Sequence, residues 1–313
     1  MNDGKIITTG FELECVNLAS GSYRLADSEG FGRRYDRSIR GMAGEELPEH
    51  GPSAPVELVT PIIETRSELT ADGRTREFSY GKMAASITAL TSCANQVNST
   101  CGFHVHLGRP NGEATGWNPR RMPGISGGPA SEWKPGHVRT MLLISLALED
   151  KLFALVPDSR KRSRHCRRIR EVYSVSDLEA YYPVGNPAPR KHDNEKRYCW
   201  LNLIETRRQG DPGESRVGYA RSEAFGTIEV RLLGETKDSA YCLAWAKLWI
   251  KIASAVAYLP SETAALHCLY SNFLQPDFDA LSRLKAHHEE VIAPTCRLDL
   301  SALSAAVNHN QED

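Results

Sequence analysis

Three five-residue stretches alternate apolar with chemically active side chains: Phe11-Glu12-Leu13-Glu14-Cys15, Phe103-His104-Val105-His106-Leu107 and Ile228-Glu229-Val230-Arg231-Leu232. Period two is the rhythm of a strand, in which successive side chains point to opposite faces. Glu12 and Glu14 therefore share a face, as do His104 and His106, and Glu229 and Arg231, while the apolar partners pack on a core from the other side. A strand with one solvated face alternates too. But Lys and Thr, the usual residues of a wet sheet face, are absent from all three stretches. In their place stand carboxylates, which suit hard cations, imidazoles, and a guanidinium, which suits phosphate oxygens.

With 313 residues, the chain is long enough to bury a large core. It is 41% hydrophobic and 25% charged, with a net charge of -1, so no global field recruits nucleic acid or an anionic membrane. The start, Met1-Asn2-Asp3-Gly4-Lys5, lacks the pattern of a signal peptide. The apolar stretch around Leu243 to Leu259 is interrupted by Lys247 and Lys251 and reads as a buried helix rather than a membrane span. Eight cysteines are scattered without a C-x-x-C pair, which argues against a zinc ribbon or thioredoxin-type motif and for a reducing, cytoplasmic setting. Cys166 stands apart because it lies among arginines, which leaves both a reactive and a structural thiol open.

The expected order begins with a strand from Thr8 to Leu18 and then a polar, irregular insertion near 19–55. Val56 to Val59 resumes strand character, and Met83, Ile87 and Leu90 predict a helix over 81–96. After the His-x-His strand, a Gly- and Pro-rich insertion near 108–136 is a candidate flap. A long helix over 137–156, a short one between 172 and 182, strands at 197–203 and at Glu229, and a helix capped by Asp238 follow. Ser261 and Pro276 can start two more helices. Strands separated by long, uneven connections lack βαβ rhythm. The expectation is α+β, with a mostly antiparallel sheet, helices on one face and the acid-histidine-arginine face left open as a concave floor.

Glu12 and Glu14 are either surface charges or a side-by-side pair that repels unless a cation or an arginine lies between them, with Glu57 as a candidate third acid; for a cation, oxygen-rich ligation favours Mg²⁺ or Mn²⁺ over zinc. His104 and His106 leave a zinc site open, although His137, His165, His267, His287 and His288 offer no comparable spacing for a further ligand. Glu229 and Arg231 are either a surface ion pair or a metal ligand beside a phosphate contact. The run Arg160 to Arg170 is either a solvated face, an anion site or a nucleic-acid contact, but it lacks interleaved aromatics. Neither a Walker-type loop nor a G-x-S-x-G elbow is present.

At these residues the chain resembles the amidoligase family, a carboxylate-amine ligase branch of the glutamine synthetase and glutamate-cysteine ligase superfamily. Gly10 to Glu14 resembles its first-strand G-x-E-x-E, and Glu57-Leu58-Val59-Thr60-Pro61 its E-L/V-V/T-S/T-P. Asn98 to His106 resembles N-x-S/T-x-G-L/F-H-V-H, and Pro157-Asp158-Ser159-Arg160 through Cys166 resembles P-x-S-R ending in Tyr-Cys. Tyr198 to Leu203 resembles Y-x-x-L-N-L, and Gly226 to Arg231 resembles G-T-I/V-E-F/V-R. The landmarks run in family order over about residues 10–250; His165 stands where Tyr is frequent, and Val230 where Phe is common.

The resemblance implies a curved antiparallel sheet of glutamine-synthetase type cradling ATP and two or more Mg²⁺ ions (Mn²⁺ as substitute). It also implies an amide bond formed through an acyl phosphate. It makes Glu12, Glu14, Glu57 and Glu229 metal ligands, His104 a metal or nucleotide contact, Arg160, His106 and Arg231 cofactor contacts, and Arg231, Glu229 and His104 catalytic. The resemblance makes residues 1–258 the catalytic domain and ends near Leu259; the segment 259–313, with its two candidate helix starts, is expected to be a C-terminal helical extension packed on the same domain. The expected partners are a small-molecule or peptide carboxylate and an amine, without nucleic acid or membrane. Two other classes stay open: a metal-dependent hydrolase using the same face, and a non-catalytic nucleic-acid-binding protein using the basic run.

Overall fold

The computed structural model describes residues 6–41, 44–51, 54–69, 75–77, 80–108, 135–173, 198–203 and 227–258. The fold is α+β, with an open antiparallel sheet. Its strands are β1 (Ile6–Cys15), β3 (Gly32–Tyr35), β4 (Val56–Val59), β5 (Ile63–Leu69), β6 (Thr75–Glu77), β8 (Phe103–Gly108), β9 (Leu201–Asn202) and β10 (Thr227–Leu233). They run in the order β3-β4-β1-β8-β10-β9, with β5 also on β1 and β6 on β5. A separate pair joins β2 (Asn17–Leu18) to β7 (Ala94–Gln96).

The ten-residue β1 is the spine. Its residues 12–15 pair with β4 and its residues 6–9 with β5, while the other edge carries β8. The edge passes from β4 to β5 at Thr60-Pro61. Pro61 has no N–H to continue a ladder. Thr60 closes the gap: its hydroxyl accepts from the Phe11 N–H at 2.9 Å, and its own N–H donates to the Phe11 carbonyl at 2.9 Å.

The apolar residues of the alternating strands build the core. Phe11 and Phe103, on neighbouring strands, stack with centroids 5.7 Å apart. Helices α2 (Tyr80–Cys93) and α6 (Ser239–Tyr258) pack on this side of β1 and β8. Asp238 caps α6 as expected, its carboxylate accepting from the Tyr241 N–H at 2.9 Å. This helix is long and apolar enough to cross a membrane, but 72% of its apolar window is buried, and Trp245, Leu248, Trp249 and Ile252 are fully enclosed.

Helices α3 (Pro135–Ala154) and α5 (Ile169–Val172) meet at Glu149, which is fully buried, and α4 (Asp158–Lys161) lies between them in the chain. Its carboxylate accepts from the Ile169 N–H at 2.5 Å, the Trp200 indole at 2.8 Å and Arg170 Nε at 3.0 Å. A buried charge is tolerable when donors saturate it.

The 19–55 insertion is more regular than its sequence suggests, for it holds α1 (Ser22–Ser28) and β3, which pairs with β4 at the sheet edge. Elements of four to seven residues are too short to show periodicity. Asn98 then fastens the following segment, its amide donating to the carbonyls of Arg40 at 2.8 Å and Gly41 at 3.2 Å. Most of the 108–136 insertion, the stretch 174–197 and the proposed extension from 259 lie outside the described residues.

Candidate functional site

Directly paired residues of antiparallel strands project to the same face. Register therefore assembles the site. Arg34 lies opposite Glu57, and Glu57 opposite Glu14. Glu12 lies opposite His104. Glu229 lies opposite both His106 and Asn202. The three sequence pairs come together on one face, on adjacent strands β1, β8 and β10, and Glu57 joins them from β4.

The side chains crowd one another instead of lining an open floor. Glu12 retains only 9% of its exposure and His104 2%. His104 Nδ1 lies 3.2 Å from Glu12 Oε2 and 3.3 Å from Glu229 Oε1. His106 Nε2 lies 3.0 Å from the other Glu12 oxygen. Arg231 Nε is 2.7 Å from Glu229 Oε1, and the Asn202 amide donates to Glu229 Oε2 at 2.7 Å. Glu57 meets Arg34 at 3.4 Å. Glu14 accepts no side-chain hydrogen bond among the described residues; His104 Nε2 lies 3.8 Å from its Oε2.

Arg231 owes its position to a β-bulge. Glu229 and Val230 pair in step with His106 and Val105, but Leu233 pairs with Phe103. Two residues, Arg231 and Leu232, thus oppose one, His104. Bulges re-aim side chains and free backbone groups from the ladder. The freed Arg231 carbonyl accepts from Arg160 Nε at 3.1 Å, from an Arg160 terminal nitrogen at 2.6 Å and from the Cys166 thiol at 3.1 Å.

Burial opposes charge throughout, and its outcome differs from one acid to the next. Burial would raise Glu12, but the charge of His106 and the hydrogen bonds of His104 and His106 outweigh it and hold the carboxyl well below its usual range. Glu229 is likewise lowered against its burial, chiefly by Arg231 and then His106. Burial wins at Glu14, which is raised despite His104, Arg160 and Arg231. Glu57 is raised well above its usual range by burial and the neighbouring Glu12 charge, against Arg34. His106 is raised because Glu12 outweighs its burial. His165, where the resemblance departs, is pushed down to about 4 by burial and by Arg164, Arg231 and Arg160.

The donor atoms of Glu12, His106 and Glu229 lie within 4.8 Å of one another, close enough for one metal ion. The residues fit such an ion. Two carboxylates and an imidazole converge, and Glu14 and Glu57 add charge that the protein's own donors leave poorly compensated. Sequence reasoning missed Asn202 as a partner of Glu229, although it sits inside a quoted motif. It also missed Arg34, for which the only signal was a four-residue strand in a polar stretch.

The basic run is largely spent within the chain. Arg160 is buried, Lys161 pairs with Asp158, Arg168 lies over the Phe153 ring and pairs with Asp150, and Arg170 binds Glu149. Cys166 is a structural thiol. Burial raises it although Arg160 and Arg231 oppose the shift, and its S–H is engaged by the Arg231 carbonyl.

Comparison of the chain with the models of known protein families and with the sequences of characterised proteins gives no match.

Proposed function

We propose that the protein is an ATP- and Mg²⁺-dependent carboxylate-amine ligase. The observation that carries this reading is the buried Glu12-His106-Glu229 group with Arg231 bound to one of its carboxylates. A hard cation beside a guanidinium is what a transferring phosphoryl group needs. The sequence resemblance narrows that chemistry to amide formation on a sheet of glutamine-synthetase type, and an open antiparallel sheet with helices on its apolar face is in keeping with it.

In this reading Glu12, His106 and Glu229 hold the ion, and Glu14 and Glu57 supply further negative charge for it or a neighbour. The bound ion would neutralise phosphate charge and polarise the terminal phosphoryl group. Asn202 fixes one Glu229 oxygen and Arg231 meets the other, and the carboxylate held between them would supply charge to the ion. Arg231 steadies negative charge on the phosphoryl oxygens. A substrate carboxylate oxygen attacks the γ-phosphorus, and ADP leaves. An amine then attacks the acyl carbon, phosphate leaves with the bonding pair, and a proton is lost from nitrogen. ATP, acid and amine thus give amide, ADP and phosphate.

The test is ATP turnover by the purified protein against pooled acids and amines with Mg²⁺, with mass spectrometry for a product lighter by one water. ADP formation coupled to such a product is expected. Hydrolysis of amides or phosphoesters with metal and without ATP would overturn the reading. It would favour a hydrolase, the class that the single imidazole among the three donors also suits.

A further inference from the structure

We infer that Arg160 is a positioning residue: it fixes the ring proton of His104 on Nδ1, so that His104 ties Glu12 and Glu229 together and leaves the cation to His106 and these two acids. The inference rests on the metal-site reading for its consequence, but not for its geometry. It moves Arg160 from the phosphate contact expected from the resemblance to a role one layer behind the site.

The hydrogens can be assigned one by one. Arg160 is 3% exposed, so water satisfies little of its guanidinium. Nε and one terminal nitrogen form a fork on the Arg231 carbonyl, at 3.1 and 2.6 Å. The same terminal nitrogen lies 3.3 Å from His104 Nε2, within reach of its second hydrogen. A guanidinium has donors only and does not lose its proton in proteins. His104 Nε2 must therefore accept, which puts the ring hydrogen on Nδ1. That nitrogen faces Glu12 Oε2 at 3.2 Å and Glu229 Oε1 at 3.3 Å. With one nitrogen accepting from Arg160 and the other carrying a hydrogen, His104 has no lone pair left for a metal.

Gly102 supports the assignment independently. A Cβ at that position would collide with the Arg160 guanidinium and lie 2.8 Å from His104 Nε2. The contact between Arg160 and His104 thus passes through space that only glycine leaves free. The Arg231 carbonyl is the other half of the seat: Arg231 donates its N–H to the Trp200 carbonyl, but the Trp200 N–H donates to the Arg167 carbonyl, which leaves the Arg231 carbonyl to Arg160. One guanidinium couples the direction of Arg231 to the tautomer of His104. Partners one layer behind metal ligands typically change affinity or activity roughly tenfold to a hundredfold when lost.

The experiment is nitrogen-15 NMR of metal-free, histidine-labelled protein, with the His104 ring identified by its loss in His104→Gln. The ring proton should be on Nδ1, with Nε2 unprotonated. Arg160→Met, which keeps length but no donor, should move the proton at least partly to Nε2 and weaken Mn²⁺ binding roughly tenfold to a hundredfold. Arg160→Lys should recover part of both. Gly102→Ala should reproduce the Met variant and serves if that variant does not fold. A wild-type ring protonated on Nε2 would overturn the assignment, as would an unchanged tautomer in folded Arg160→Met. Nδ1 protonation without cation binding would sustain Arg160's role and sink the metal reading; Nε2 protonation with tight binding would do the reverse.

Discussion

Two sets of buried carboxylates in this molecule solve the same problem in opposite ways. Glu149, enclosed among α3, α5 and β9, is met by a backbone N–H, an indole N–H and a guanidinium. On the sheet, Glu12 and Glu229 take most of the donors and two acids are left short: Glu14 accepts no side-chain hydrogen bond among the described residues, and Glu57 is raised by burial and by Glu12. A saturated carboxylate stabilises a fold. A crowded, undersaturated set costs stability and is worth keeping when a cation can enter it.

The largest effect expected from this contrast is on activity. Glu12→Gln and Glu229→Gln keep volume and remove ligand charge, and should each lower ATP turnover on the order of a thousandfold, about 4 kcal/mol. Glu14→Gln should also collapse turnover while leaving the metal-free melting temperature unchanged or higher, because it relieves like-charge crowding. Near-normal turnover in all three at saturating Mg²⁺ would break the contrast. The reverse pattern is expected at Glu149. Glu149→Leu strands the Trp200 and Ile169 donors and should cost about 3 kcal/mol of stability by denaturant titration. Turnover per folded molecule should change little.

A third, smaller effect separates the guanidinium from its charge. Arg231→Lys keeps the charge but loses the planar pair of donors. It should lower the turnover number about a hundredfold, about 2.7 kcal/mol, with apparent ATP affinity changing much less. An unchanged turnover number would make Arg231 a mere partner of Glu229.

The smallest effect concerns pH. Glu14, Glu57 and His106 hold protons above their ordinary ranges, and a cation must displace them. Mn²⁺ affinity should therefore rise with pH until these groups have lost their protons, roughly tenfold per unit for each proton released. In metal-free protein, the raised folded values of Glu14 and Glu57 mean that the folded state binds the extra protons. Stability from these two acids should therefore fall as pH rises through those values. Glu12 and Glu229 act oppositely, their contribution present above the unfolded carboxylate range and lost as pH falls through their depressed values. Melting curves with and without Mn²⁺ across pH would check both signs.

Much of the site is legible in the sequence because strand alternation is local. Glu12 with Glu14, His104 with His106, and Glu229 with Arg231 share faces whatever their neighbours are. What brings the pairs together is register, and no residue of β1 announces that β8 lies on one edge and β4 then β5 on the other. The bulge at Arg231 carries no glycine to mark it. The P-x-S-R resemblance marks Arg160 as a phosphate contact, but only the fold sets it under a carbonyl 71 positions away. Nothing in the sequence marks Glu149, beside Asp150 on an apolar helix, as buried, since its donors come from two other segments.

The central claim is that the sheet acids are kept for a divalent cation, and direct titration tests it best. Mn²⁺ should be added to metal-free protein, with and without a non-hydrolysable ATP analogue, and free ion followed by electron paramagnetic resonance. The account predicts saturable binding by the wild type, weakened at least about tenfold in Glu12→Gln and Glu229→Gln and tightened by the nucleotide analogue. No saturable binding under either condition, or equal affinity in the wild type and both variants, would contradict it.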